Sequence, residues 1–272
     1  MARTLLKTAQ ALDKVLSSLV GGGFGLKDLF TLVNLGGGVV SVWFAMQGNI
    51  EAASAAIMIG YLGDVLDGPV ARFTGRQNRF GSELDSMADH MAQCIAPAFV
   101  VMVALAPLGR FLSLGLAFLV VTTGSIRHAR AAAEKFEFGL CWNGMPRPVA
   151  AFLVIAYLNS HLRGTLPYGD WFGAGLVVLV SALNLVSLPF VSHHGRPLQA
   201  YVKTAVFVGF GLGIGLAVFR SSWFWDALLF MITLYSFGSW LTMTRDERID
   251  FFDEARRWRT KLAGESRPGR TS

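Results

Sequence analysis

The feature that most constrains this chain is a run of eight apolar segments. They lie at about 28–48, 52–71, 84–106, 111–132, 147–161, 171–191, 204–219 and 222–243. Each approaches the roughly 20 residues that an α-helix needs to cross a bilayer, with the fifth and seventh falling short. Backbone inside lipid has to satisfy its own N–H and C=O groups, so such segments become helices. The expected fold is all-α: a polytopic transmembrane helical bundle of about eight spans. Composition agrees, because 15% of the 272 residues are charged, against about 25% in soluble domains. Cys94 and Cys141 form no CxxC pair, which argues against a disulfide framework or a zinc site.

The distribution of charge sets an orientation. With both termini in the cytoplasm, Arg110, Arg163 and Arg220 fall outside and the other 21 of the 24 Lys and Arg residues fall inside. Six spans would orient the ends in the same way, so the asymmetry speaks to orientation more than to number. The net charge of +6 is therefore read as loops facing anionic membrane lipid, not as nucleic-acid binding. The expected location is the inner cell membrane.

Three regions follow. Residues 1–26 are not a signal peptide, because Lys7, Asp13 and Lys14 break any apolar core. Leu5, Leu6, Ala9, Leu12, Val15, Leu16 and Leu19 recur at helical spacing, which predicts an amphipathic helix on the membrane surface. A solvated leader helix is the alternative. Residues 27–243 form one transmembrane domain. Residues 244–272 are a charged cytoplasmic tail, solvated, with its first part continuing the last helix and its end from Gly264 disordered. Contact between the tail and lipid headgroups is the other reading.

The chemistry concentrates between Gly63 and His90. Asp64 and Asp67 are three residues apart and share a face at the inner end of the second span. Asp85 and Asp89 are four apart and share a face at the start of the third. A short connection makes the two helices antiparallel neighbours, so the four carboxylates converge near the cytoplasmic surface. Like charges at that range repel, and each is costly at membrane depth. Hard divalent cations, Mg²⁺ or Mn²⁺, resolve the conflict because they prefer oxygen ligands. Two such ions would clamp a pyrophosphate and stabilise an in-line displacement. Gly68 and Gly81 leave room for a phosphate or nucleotide. Arg72, about one turn past Asp67, offers a charge-assisted fork to phosphate oxygens. Acids solvating helix ends are the bland alternative.

This stretch resembles the signature of the CDP-alcohol phosphotransferase family, Asp-x2-Asp-Gly-x2-Ala-Arg-x8-Gly-x3-Asp-x3-Asp. The fixed positions are Asp64, Asp67, Gly68, Ala71, Arg72, Gly81, Asp85 and Asp89. The resemblance implies a core of six spans, a cytoplasm-facing site and two metal ions. It implies Asp64, Asp67 and Asp85 as metal ligands, and Asp89 as general base with some contact to metal. Gly68, Ala71, Arg72, Gly81, Ser82, Thr31 and Asn34 would then bind the CDP-linked lipid. Asn34 is also polar inside an apolar span, which favours a buried role. Family members are often homodimers, although no interface is legible in the sequence.

Outside the motif, the segments around Thr31–Gly36, Arg127–Arg130, Gly144–Ala151 and Val186–Phe190 resemble type II phosphatidylserine synthases. That likeness implies CDP-diacylglycerol, or an archaeal equivalent, as donor and L-serine as acceptor, giving phosphatidylserine and CMP. Arg127 and Arg130 would hold the serine carboxylate, the alternative being positive-inside anchoring. Arg147, between two prolines where a small residue is expected, and the loop 135–143 depart from that pattern. His90, His193 and His194 form no ligand set. Glycerol 3-phosphate, inositol phosphate or choline as acceptor, or a cation pathway in a transporter, are the competing functions.

Overall fold

The computed structural model describes residues 2–21, 23–74, 78–191 and 223–264. The expected seventh segment, 204–219, and His193, His194, Arg196 and Lys203 lie outside the described residues. The chain is almost entirely helical and forms two compact units, divided between Ala106 and Pro107.

The first unit opens with α1 (Ala2–Val20). Leu12, Val15, Leu19 and Val20 are exposed along it. Asp13 of the same helix is buried, and its Oδ1 accepts the Leu26 N–H at 2.7 Å. That bond ties α1 to the first residue of α2 (Leu26–Met46) and satisfies one of the orphan donors at its start. A tight turn with Gly48 at φ +76° leads to α3 (Ile50–Thr74).

Helices α2 and α3 touch backbone to backbone. A Cβ on Gly37 would lie 2.6 Å from Gly60 Cα, and one on Gly63 2.6 Å from Phe30 O. Small residues permit this approach, and inside a bilayer such packing is what holds helices together. After the connection, Asn78 caps α4 (Arg79–His90) through Gly81 N–H at 2.7 Å. Helix α4 passes through a π turn at Met91–Ile95 into α5 (Ala96–Ala104). The three pieces form one rod, Arg79–Ala104, long and apolar enough to cross a membrane, as is Leu26–Met46.

The second unit begins with α6 (Arg110–Ala133), a third helix of spanning length and apolarity. Shorter apolar helices follow: α7 (Arg147–Asn159), α9 (Gly169–Leu185) and α10 (Phe224–Thr242), with the single-turn α8 (His161–Thr165) after α7. Helix α7 is buried continuously from Ala150 to Leu158, as a helix apolar all round should be.

Two expectations are corrected here. The sixth apolar segment does not run as helix to residue 191. It ends at Leu185, and Pro189–Val191 (β2) pairs antiparallel with Cys141–Asn143 (β1). Pro189 cannot continue a helix but fits an edge strand. The tail does not continue α10 either. Thr244 and Glu247 form a reciprocal capping box that starts a separate helix, α11 (Arg245–Leu262). Its residues Phe251, Ala255 and Trp258 are buried, with Phe251 edge-on to Phe136 and Phe138 at 5.5 and 5.6 Å. The tail thus has a core-facing side and is not simply solvated.

Candidate metal and phosphate site

Helix α3 delivers Asp64 and Asp67 in its last turns, and α4 delivers Asp85 and Asp89. One carboxylate oxygen each from Asp64, Asp67 and Asp85 lies within 4.8 Å of the other two. Asp89 stands beside this trio, with its carboxylate meeting that of Asp64. The expected convergence of four acids is therefore present as three plus one.

Donors from α2 reach into the cluster. Thr31 Oγ1 donates to Asp67 Oδ2 at 3.2 Å, and Asn34 Nδ2 donates to Asp89 Oδ1 at 3.1 Å. Both residues are fully buried. They were expected on the CDP-lipid, and here they engage the carboxylates. The sequence reading did not single out Gln93, whose Nε2 donates to the same Asp89 oxygen at 2.6 Å. Nor did it single out Lys27, which pairs with Asp28 at 3.1 Å and whose charge reaches Asp67. An amide four residues after an aspartate on a helix is a recognisable pairing, and it was the available signal for Gln93.

The two motif glycines differ in what surrounds them. A Cβ on Gly68 would meet Arg72 Nη1 at 3.6 Å, so the surface beside Asp67 stays open. A Cβ on Gly81 would collide with the Lys27 side chain and the Asp28 carboxylate. Gly81 thus makes room for the Lys27–Asp28 pair, which locks the start of α2 onto the start of α4, and not for open approach. Arg72 and Ser82 are exposed, and Ala71 is buried.

The cluster fits a hard divalent cation. Its donors are all oxygens, and three of them converge. Asp85 Oδ1 is buried with no hydrogen-bond partner among the described residues. A buried, partnerless carboxylate oxygen among like charges is unfavourable without a cation.

Arg127 and Arg130 belong to the second unit. Arg127 Nη1 donates to Asn143 O at 2.6 Å and to Asn184 O at 3.4 Å. Arg130 Nη1 donates to Leu185 O at 2.9 Å, and its guanidinium lies 4.8 Å from the Trp258 ring centroid. With Asn143, Asn184, Trp142 and Trp258 they line a cavity of about 370 Å³.

The family model described as CDP-alcohol phosphatidyltransferase matches residues 25–181. The archaetidylserine synthase of Methanothermobacter thermautotrophicus is 29% identical over 180 residues, covering 65% of this chain and 72% of that protein. The CDP-diacylglycerol–serine O-phosphatidyltransferase of Mycobacterium leprae is 29% identical over 211 residues, covering 73% and 69%. Among solved structures, the phosphatidylinositol phosphate synthase of Mycobacterium tuberculosis with CDP-DAG bound gives a TM-score of 0.46 at 18% identity, covering 65% of this chain and 92% of that one.

Proposed function

Because the chain belongs to the CDP-alcohol phosphatidyltransferase family, we propose that it transfers the phosphatidyl group of a CDP-linked lipid to the hydroxyl of L-serine, releasing CMP. The observation that carries the reading is the convergence of Asp64, Asp67 and Asp85 within 4.8 Å, with a partnerless Asp85 oxygen. Serine as acceptor is supported by the names of the two relatives, which act on serine or form a serine lipid.

In this reading Asp64, Asp67 and Asp85 hold divalent metal, two Mg²⁺ or Mn²⁺ ions, with Asp89 at the edge of the set. When bound, the ions supply the positive charge that a pyrophosphate needs to bind and to break. Thr31 holds Asp67 in place. Arg72, exposed beside the open surface at Gly68, receives phosphate oxygens. Asp89 accepts the proton of the serine hydroxyl, and the resulting oxygen nucleophile forms a bond to the lipid-side phosphorus. The bond from that phosphorus to the CMP oxygen breaks, and CMP leaves as the anion. Arg127 and Arg130, with N–H groups beyond the Nη1 donors already engaged, take the serine carboxylate. The Lys and Arg distribution supports placing the reaction on the cytoplasmic side.

The test is CMP release by purified protein from CDP-diacylglycerol, with serine, glycerol 3-phosphate, inositol phosphate or choline as acceptor, and with or without chelator. Serine-dependent, chelator-sensitive release is expected. Release with another acceptor alone would reassign the substrate. Metal flux in liposomes without CMP would replace the enzyme with a transporter.

A further inference from the structure

We propose that Gln93 is a positioning residue for Asp89: together with Asn34 it holds that carboxylate in one orientation. The inference rests on the assignment of Asp89 as proton acceptor. Gln93 and Asn34 both donate to Asp89 Oδ1, at 2.6 and 3.1 Å. A carboxylate oxygen has about two lone-pair sites, so the two amides fill those of Oδ1. The donors also come from different elements, one from α2 and one from the turn after α4. Together they oppose the χ2 rotation that would otherwise exchange the two oxygens, since that torsion is broad in aspartate. Water does not loosen the arrangement, because Gln93 is 7% exposed and Asn34 is fully buried.

The backbone explains how an amide comes to stand there. Residues Met91–Ile95 wind as a π turn, with the Ala96 N–H reaching back five residues to Met91 O. Pro97 supplies the cause. It has no N–H, and in an unbroken α-helix its ring would press on the carbonyl of residue 93. Widening the turn relieves that clash, and such turns recur at functional sites. Here the widened turn carries an amide that reaches Asp89 from its own helix. Burying a glutamine in this apolar stretch is costly unless its amide is bonded, and the bond it makes is to the proposed base.

The test replaces Gln93 by methionine, which keeps the length and removes the donor, with Gln93→Leu as a second variant. Detergent-purified protein is measured for CMP release, thermal stability and Mn²⁺ binding by titration. Losing a hydrogen bond to a charged group should lower kcat about tenfold. The KM for CDP-lipid and serine, the Mn²⁺ midpoint and Tm should stay within about twofold or a few degrees of wild type. Combined with Asn34→Ala, the loss should exceed the product of the two single losses, because either amide alone still engages Oδ1. A kcat near wild type in both Gln93 variants overturns the proposal. So does a fall in kcat matched by falls in Tm and Mn²⁺ affinity, which would mark Gln93 as merely structural. Asp89→Asn separates the two assignments. If that variant turns over, the base assignment itself fails. If it is dead while Gln93→Met is fully active, the positioning role alone fails.

Discussion

In the first unit, three carboxylates face one another; in the second, two guanidiniums face backbone carbonyls. Asp64, Asp67 and Asp85 crowd within 4.8 Å, and Asp85 Oδ1 is left without a hydrogen-bond partner among the described residues. Arg127 and Arg130 instead donate to Asn143 O, Asn184 O and Leu185 O, where α9 ends and the strand β1 closes. Helix-end carbonyls have no intrahelical partner, so these arginines complete the local structure. Both regions carry concentrated charge, but the guanidiniums are bonded to backbone carbonyls of their own unit, whereas the carboxylates chiefly meet one another. Groups that conflict without a ligand are evidence for a ligand. Groups that satisfy their neighbours first report on shape, and any binding role has to be carried by the donors they have left.

The largest test of this contrast is Asp85→Asn. If the cluster holds catalytic metal, CMP release should fall by about a thousandfold or more. Thermal stability in chelator should not fall, and should rise slightly, because one of several like charges has been removed. Divalent metal in excess should stabilise wild type by about 2.7 kcal/mol at a hundred times its Kd, and this shift should vanish in the variant. An unfolded or strongly destabilised Asp85→Asn would mean that the acids hold the fold together, and the contrast would collapse.

A smaller effect is expected at Thr31. Thr31→Val keeps the shape of a fully buried side chain and removes the hydroxyl donated to Asp67 Oδ2. A hydrogen bond to a charged group contributes about 1.5–3 kcal/mol, so CMP release should drop tenfold or somewhat more. The drop should appear with weaker metal binding, measured by Mn²⁺ titration. Unchanged metal binding would show that Thr31 acts on another part of the reaction.

The aspartates and the helical fold were legible in the sequence because their signals are long or repeated. Apolar runs of membrane-crossing length admit helices and little else, and four acids at fixed spacing on two neighbouring helices have few other uses. Gln93 was not legible because it sits past the motif, in an apolar run, where a single i+4 amide is a weak signal. Its π turn follows from Pro97, but only once the helix is known to continue through that proline. The ribbon of Cys141–Asn143 and Pro189–Val191 is too short to leave a period. The tail erred for a different reason. Phe251, Ala255 and Trp258 recur at i, i+4 and i+7, and Thr244 with Glu247 forms a capping box, yet the density of charge around them suggested solvent.

Arg127 sharpens the comparison from the other side. Arg127→Met removes the donor to Asn143 O and Asn184 O, and leaving such partly buried carbonyls unpaired costs about 1 kcal/mol or more of stability. Tm should therefore fall, unlike in Asp85→Asn. If Arg127 also holds the serine carboxylate through its remaining N–H groups, the KM for serine should rise about tenfold, with the KM for CDP-lipid unchanged. A fall in Tm with an unchanged serine KM would leave Arg127 as architecture and remove it from the acceptor site.

The smallest predicted effect tests whether the C-terminal helix belongs with the arginines, whose bonds go to the backbone of their own unit. Trp258 is buried, lies under the Arg130 guanidinium and donates Nε1–H to Glu134 O at 2.7 Å. Trp258→Phe keeps an aromatic face and removes the donor. The lost hydrogen bond should cost about 1 kcal/mol, read as a drop of a few degrees in Tm. Both KM values should be unaffected, because the ring that faces Arg130 remains. Trp258→Ala removes the ring as well and should destabilise by about 3–5 kcal/mol. A rise in serine KM already in the phenylalanine variant would mean that the indole N–H shapes the acceptor cavity and not only the fold. The second unit's aromatic wall would then share the character of the first unit's carboxylates: side chains whose arrangement makes full sense only with a ligand present.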